Sequence, residues 1–88
     1  MGDTTEAERV LEKLSQGCPL PPQEHARPAY RPVEVYDQAG RRWPGTIVAW
    51  WTTLDGAETC CLRLFGARAP RWTVFDPDRN ALLVQGGT

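Results

Sequence analysis

The chain has 88 residues, of which 41% are hydrophobic and 24% are charged, and its formal net charge at pH 7 is −1. This composition is typical of one small globular domain and excludes an intrinsically disordered chain. A net charge so close to zero excludes a global electrostatic attraction to nucleic acid or to an anionic membrane, so any such attraction must be local.

The N-terminal sequence predicts no secretion signal. Asp3 and Glu6 stand where a signal peptide carries bases, and no apolar run follows them. No stretch reaches the apolar length of a membrane span. The chain has three cysteines, of which Cys60 and Cys61 are adjacent, and this is not the pattern of a disulfide framework. We therefore expect a cytoplasmic protein that does not bind membranes. Nine of the ten basic residues are arginine, a bias that we ascribe to GC-rich bacterial coding.

Residues 1–17 have the signals of a short amphipathic helix. Thr5 and Glu8 have the spacing of a capping box, and Gly17 is a typical residue just beyond a last helical turn. The hydrophobic residues recur at helical spacing and form one stripe, made of Ala7, Val10, Leu11 and Leu14. Because so short a helix is marginally stable alone, the stripe needs a cover: the rest of the domain, a second copy or another protein. The last three of these residues are the predicted interaction face.

Residues 18–32, with the sequence CPLPPQEHARPAYRP, contain five prolines and little apolar periodicity. They predict an extended proline-rich linker that runs as a strap to the next domain element. Pro19 and Pro22 have the PxxP spacing of ligands for aromatic grooves. A segment so rich in proline produces this spacing by chance, so we favour the linker.

From residue 33 onward the hydrophobic period changes to two, which is the period of β-strands. Five runs are predicted as strands, at residues 33–36, 46–52, 58–65, 71–75 and 81–84. They are separated by turn sequences such as DQAG at 37–40, Asp-Gly at 55–56 and DPDRN at 76–80. So few short strands favour a small closed barrel over residues 33–85, and residues 86–88 are expected to be a frayed tail.

The order of these features is similar to that of a known family. The segments VEVYD, GRRWPGTIVAW, DG, CLRL and WTVFD resemble SH3-like barrels of the Tudor type, over residues 32–85 or so. The ALYDY-like stretch of the signalling SH3 domains is absent. The resemblance implies a five-stranded, strongly bent barrel that binds peptides or nucleic acid at one rim. The expected fold is therefore mostly β: an SH3-like barrel preceded by the amphipathic helix and the proline-rich strap.

The tryptophans divide between core and surface by the alternation of strand side chains. Trp50 and Trp51 are adjacent, so one of them must point out of the barrel. Trp51 shares its predicted face with Ile47 and Ala49, which makes it the predicted core residue. Trp72 is also predicted to fill the barrel.

Tyr36, Trp43 and Trp50 are then the predicted aromatic groove, with Arg41 and Arg42 on its rim. Such a groove is expected to receive an extended segment of a partner protein. The opposing interpretation is that the helix and the strap simply cover these rings. A rival function is nucleic-acid binding, in which Trp43 and Trp50 stack on bases. Phosphates would then contact a rim formed by Arg41, Arg42, Arg63, Arg68 and Arg71. A third is a structural subunit that dimerises through the helix stripe.

Catalytic and metal chemistry have little support. The single serine, Ser15, and the single histidine, His25, fall near the helix end and in the linker, where they do not predict a catalytic triad. Cys60 and Cys61 lack the spacing of zinc ligands. We therefore expect no enzymatic activity, no metal and no cofactor. The expected partner is a protein or peptide, and the oligomeric state is left open.

Overall fold

The structure is a computed structural model and describes residues 5–22 and 25–82. Its described part contains one helix and five strands: α1 (Glu6–Ser15), β1 (Arg27–Tyr36), β2 (Arg42–Thr52), β3 (Glu58–Leu64), β4 (Arg71–Val74) and β5 (Asn80–Leu82). The strands form one antiparallel sheet in the order β4-β3-β2-β1-β5. The protein is therefore mostly β with one short N-terminal helix.

The sheet is open, whereas the sequence predicted a closed barrel. β1 to β4 form a meander, and β5 returns to lie beside β1. Within residues 25–82 no pairing joins the two edge strands, β4 and β5. Of these edge strands, β4 is four residues long, and the described part of β5 is three residues long. The last part of the predicted barrel, residues 83–85, and the predicted tail at 86–88 lie outside the described residues.

The N-terminus of α1 is held by hydrogen bonds within the helix cap and by hydrogen bonds to residues about 60 positions later in the chain. The predicted capping box is confirmed: the Glu8 amide donates to Thr5 Oγ1 at 3.1 Å, and the Thr5 amide donates to Glu8 Oε1 at 3.0 Å. Thr5 Oγ1 also donates to the Gly66 carbonyl at 3.0 Å, and the Arg68 amide donates to Glu8 Oε2 at 3.2 Å. Both of these partners lie in the loop between β3 and β4, so the cap attaches α1 to the sheet.

The hydrophobic core lies between α1 and one face of the sheet, which we call the inner face. The buried core residues are Ala7, Leu11, Val33, Val35, Ile47, Cys60, Leu62 and Leu64. Gly45 lies on this face, where a Cβ atom would be 2.7 Å from the Arg63 carbonyl oxygen and 2.9 Å from Leu64 Cδ2. A side chain at this position would therefore collide with β3. The helix contacts β3 and β4 and covers the inner face of the sheet.

A β-bulge in β2 decides which tryptophan enters the core. Ile47 pairs with Leu62 and Trp50 pairs with Cys60, so β2 has one residue more than β3 between the two pairs. An extra residue of this kind reverses the alternation of faces along the rest of the strand. Trp50 therefore lies on the inner face, where it packs against the core and meets the Phe75 ring edge-on at a centroid distance of 5.2 Å.

Trp51 lies on the opposite, outer face, and the prediction that it fills the core is wrong. It pairs with Thr59 on β3, out of phase with the core residue Cys60. The expectation for Trp72 also fails: it pairs with Cys61, whereas its neighbour Thr73 pairs with Cys60 and is buried. The outer face thus carries the two tryptophans that strict alternation had placed inside.

β1 begins at Arg27, six residues before its predicted start, and includes two prolines. Pro28 and Pro32 lie in the half of β1 whose described pairing is with β2 only, since the described residues of β5 pair with Val33 to Val35. Proline is tolerated in a strand at positions where its missing N–H faces no partner. The strap therefore comprises residues 18–26, of which 23 and 24 are outside the described residues.

Candidate binding site

The structure separates the five residues of the predicted aromatic groove. Trp43 and Trp50 are half-buried against the core on the inner face. Tyr36 and Arg42 pair with each other on the outer face, and Arg41 lies at the end of the turn before β2. Alternation along β1 and β2 forces this separation, because residues that are adjacent in a strand point to opposite faces. A single groove made of these five side chains does not form, and this corrects the prediction.

Arg41 and Trp43 instead attach the helix to the first hairpin. The Arg41 guanidinium lies 5.1 Å from the centroid of the Trp43 ring, and its Nη1 and Nη2 donate to the two carboxylate oxygens of Glu6 at 2.6 and 3.3 Å. The Trp43 indole donates to Asp37 Oδ2 at 3.0 Å. The Arg41 hydrogen bonds lower the pKa of Glu6, and the indole hydrogen bond lowers the pKa of Asp37. The side chains of Arg41 and Trp43 therefore already bind other residues of the same chain, namely Glu6 and Asp37.

The apolar stripe of α1 also packs against the core of its own chain. Leu11 is only 1% exposed and forms part of the core. Val10 and Leu14 are half-buried and pack at the margin of the core. Of the three covers that the sequence left open, the structure shows the first, since α1 covers the inner face of its own sheet.

A large apolar groove lies on the outer face, between the strap and the hairpin that joins β2 to β3. It has a volume of about 550 Å³, and we call it the outer groove. The side chains that define it here are Pro19, Leu20, Pro22, Trp51, Leu54 and Val74. Leu20 is 74% exposed, Leu54 is fully exposed and Val74 is 51% exposed. Contiguous exposed apolar surface of this kind is unusual on a small domain and is typical of binding surfaces.

Leu54 is held at the tip of its hairpin by a well-bonded turn. Thr53 Oγ1 donates to Asp55 Oδ1 at 2.7 Å and accepts from the Ala57 amide at 3.0 Å. The Thr53 hydrogen bond lowers the pKa of Asp55. Gly56 has a φ of +90°, a conformation that favours glycine and closes the turn. The exposed leucine is therefore presented from a fixed loop.

The outer groove ends at the free edge of β4. The Phe75 amide donates to the Glu58 carbonyl of β3 at 2.9 Å, and Thr73 pairs with Cys60. In an antiparallel ladder alternate residues bond to one neighbour, so the backbone groups of Trp72 and Val74 face away from β3. No described strand pairs with that side of β4. The groove therefore has a hydrogen-bonding edge next to its apolar wall.

The described residues show no group of three metal-ligating side chains, and the helix they contain is too short and too polar to cross a membrane. The Ser15 hydroxyl donates to the Glu12 carbonyl within the helix. Cys60 is buried, and this burial raises the pKa of its thiol to about 11. Its Sγ lies 3.5 Å from Thr73 Oγ1. At neutral pH Cys60 is therefore a protonated core residue.

No protein-family model, curated protein or solved structure matches the chain. A function must therefore be inferred from the structure, and the outer groove is the feature from which we infer it.

Leu54 and Val74 are not among the site residues predicted from the sequence, and strict alternation placed Trp51 in the core. One local signal was present for Leu54. The hairpin tip reads Thr-Thr-Leu-Asp-Gly, and a leucine next to an Asp-Gly turn has no strand face on which to bury itself. For Val74 and Trp51 the deciding information is the pairing of strands, which no short stretch of sequence contains.

Proposed function

We propose that the protein is a small, non-catalytic interaction module that binds an extended apolar segment of a partner protein in the outer groove. The observation that carries this proposal is the exposed apolar surface around Trp51, which is continuous with the free edge of β4. An aromatic floor and an unpaired strand edge are together the two features used to bind extended peptides.

The bound segment lies beside β4 in this proposal. Its backbone pairs with the outward-facing groups of Trp72 and Val74, and alternate side chains enter the groove against Trp51 and Leu54. Tryptophan dominates the energy of many interfaces because it buries a large area at little entropic cost. Pro19 and Pro22 form one wall of the groove. Because proline restricts the backbone, little conformational entropy is lost when peptide binding orders this wall.

The SH3-like assignment belongs to the same proposal. Five antiparallel strands, with the fifth placed beside the first, and a bulge that bends β2 support it. The departure from a closed barrel is that no described pairing joins β4 to β5; α1 contacts β3 and β4.

The other two functions considered from the sequence have less support. Nucleic-acid binding needs unpaired cations beside exposed rings, but the two arginines that precede Trp43 are paired: Arg41 is bonded to Glu6, and Arg42 lies 3.8 Å from Glu34. Dimerisation through the helix stripe needs Leu11, which the core already contains. The outer groove, in contrast, has exposed apolar side chains that neither ion pairs nor the core occupy.

The experiment is a selection of displayed random peptides on the 88-residue chain, followed by measurement of Kd for the selected peptides by fluorescence anisotropy. We expect selected peptides to carry apolar residues at alternate positions. Leu54→Glu and Val74→Glu are each expected to weaken binding about tenfold, the loss of roughly 1.4 kcal/mol of apolar contact. The matched control is Phe65→Glu, which changes another exposed residue, 81% exposed, outside the groove.

The control variant should bind the selected peptides as wild type does. Both groove residues are exposed, so the variants should keep the fold, which an NMR correlation spectrum checks. If Phe65→Glu weakens binding as much as the groove variants do, or if no peptide is enriched, the proposal is wrong.

A further inference from the structure

A second cavity lies on the helix side of the molecule, away from the outer groove. It has a volume of about 290 Å³ and separates α1 from the turn between β1 and β2 and from the loop before β5. The residues that matter are Arg9, Val10, Lys13, Leu14, Asp37 and Arg79. We call it the helix cavity. None of these residues belongs to the proposed peptide groove.

The helix cavity has an excess of positive charge. Arg9, Lys13 and Arg79 contribute three cationic side chains, and no carboxylate of the described residues lies within 4.0 Å of any of them. Arg9 and Lys13 are four residues apart, so like charges stand on the same side of one helical turn, which is unfavourable unless an anion joins them.

The acids near the cavity do not neutralise these cations. Asp37 lines it, but its two carboxylate oxygens accept hydrogen bonds from the Trp43 indole and from the backbone amides of Ala39 and Arg41. Glu6, one turn before Arg9 on the helix, is hydrogen-bonded to the Arg41 side chain, and Arg9 acts on it only as a weaker charge that is not in contact. The hydrogen bonds of both acids thus go to other partners.

The inner wall of the cavity is apolar. Val10 and Leu14 are half-buried and stand four residues apart, directly beside the two helix cations. A simple phosphate would make no use of this wall. A volume of about 290 Å³ is at the lower limit of ligand pockets and suits one aliphatic side chain with its neighbours.

We infer that the helix cavity binds an acidic peptide segment of a partner protein. One aliphatic side chain of the segment packs against Val10 and Leu14. Carboxylates on either side of it contact Arg9, Lys13 and Arg79. The charge complementarity selects the acidic segment, and the apolar wall selects the aliphatic residue within it.

The test uses a fluorescent peptide, acetyl-Glu-Asp-Leu-Asp-Glu-amide, titrated with the 88-residue chain at low salt and followed by anisotropy. Two peptides are compared with it: the neutral isostere acetyl-Gln-Asn-Leu-Asn-Gln-amide and the peptide in which glycine replaces leucine. We expect the neutral and glycine peptides to bind several-fold more weakly. Binding of the acidic peptide should weaken further as salt rises from about 20 to about 150 mM.

The variant is the double substitution Lys13→Gln and Arg79→Gln. Its matched control is Arg63→Gln with Arg71→Gln, which removes the same charge at two exposed positions outside the cavity. The first pair is expected to weaken binding about five- to tenfold, since exposed ion pairs contribute up to about 1 kcal/mol each. The control pair should change it less than twofold.

Equal loss in the two double variants would show a response to net charge and would overturn the inference. Equal binding of the glycine peptide, or no measurable binding of the acidic peptide, would overturn it as well. Competition by inorganic phosphate or by a short oligothymidylate at the same concentration as the peptide would show a phosphate site instead. Peptides selected for the outer groove should not compete, so the two proposals fail or succeed separately.

Discussion

Replacing Leu11 by alanine tests whether α1 is an integral part of the core. Leu11 is 1% exposed, and removing a buried leucine side chain costs about 2 to 5 kcal/mol. A domain of 88 residues has a total free energy of unfolding of about 4 to 13 kcal/mol. The substitution should therefore remove a large fraction of the stability and lower Tm by about 10 °C or more.

The measurement is urea unfolding at about 25 °C, followed by tryptophan fluorescence, which reports on the sheet. Leu20→Ala is the matched control because it makes the same chemical change at a position that is 74% exposed. We expect its free energy of unfolding to stay within about 0.5 kcal/mol of wild type. If Leu11→Ala is no more destabilising than this control, α1 does not cover the sheet and the described core is wrong.

Two further predictions concern ionisable groups. Glu6→Gln removes the carboxylate that is hydrogen-bonded to Arg41, and these bonds lower the pKa of Glu6 below 4.5. The wild type should therefore be more stable than the variant above about pH 4.5. This difference in stability should disappear as the pH falls through the lowered pKa of Glu6. Urea midpoints of the two proteins between about pH 7 and pH 3 check this, and a difference independent of pH would contradict it. For Cys60, a pKa of about 11 leaves about 0.1% thiolate at pH 8, so iodoacetamide should alkylate the half-buried Cys18 first and reach Cys60 only after unfolding. Peptide mass spectrometry measures the order, and equal rates in the folded protein would refute the burial of Cys60.

The helix was predictable because its determinants are local. Thr5, Glu8 and the apolar stripe lie within ten residues of one another, and each acts through hydrogen bonds or contacts inside one or two helical turns. The turn chemistry at 37–40 and 55–56 was predictable for the same reason. The five strands followed from the spaces between these turns.

The assignment of the tryptophans was not predictable from the pattern. A period of two continues through residues 46–52 without a glycine or other sign of a bulge, and Val48 is an ordinary strand residue. The extra residue becomes visible only when β2 is aligned with β3. A shift of one position then exchanges the faces of Trp50 and Trp51, so Trp50 of the predicted groove lies on the inner face and Trp51 lies on the outer face.

The early start of β1 depended on its neighbours for a similar reason. Pro28 and Pro32 indicate a linker when they are considered alone. They are compatible with a strand because the described pairing of that half of β1 is with β2 alone. This pairing depends on distant parts of the chain.

The attachment of α1 to the β3–β4 loop has a consequence for biosynthesis. Thr5 donates to the carbonyl of Gly66, 61 residues later in the chain, and Glu8 accepts from the amide of Arg68, 60 residues later. At about 5 to 20 residues per second, a ribosome needs roughly 3 to 12 s to make the intervening segment. During that time Leu11 has no sheet to cover, and contacts of such long sequence separation form slowly even in the finished chain. The domain must therefore be nearly complete before its core closes, and until then the segment of α1, too short to be a stable helix alone, leaves its apolar stripe exposed.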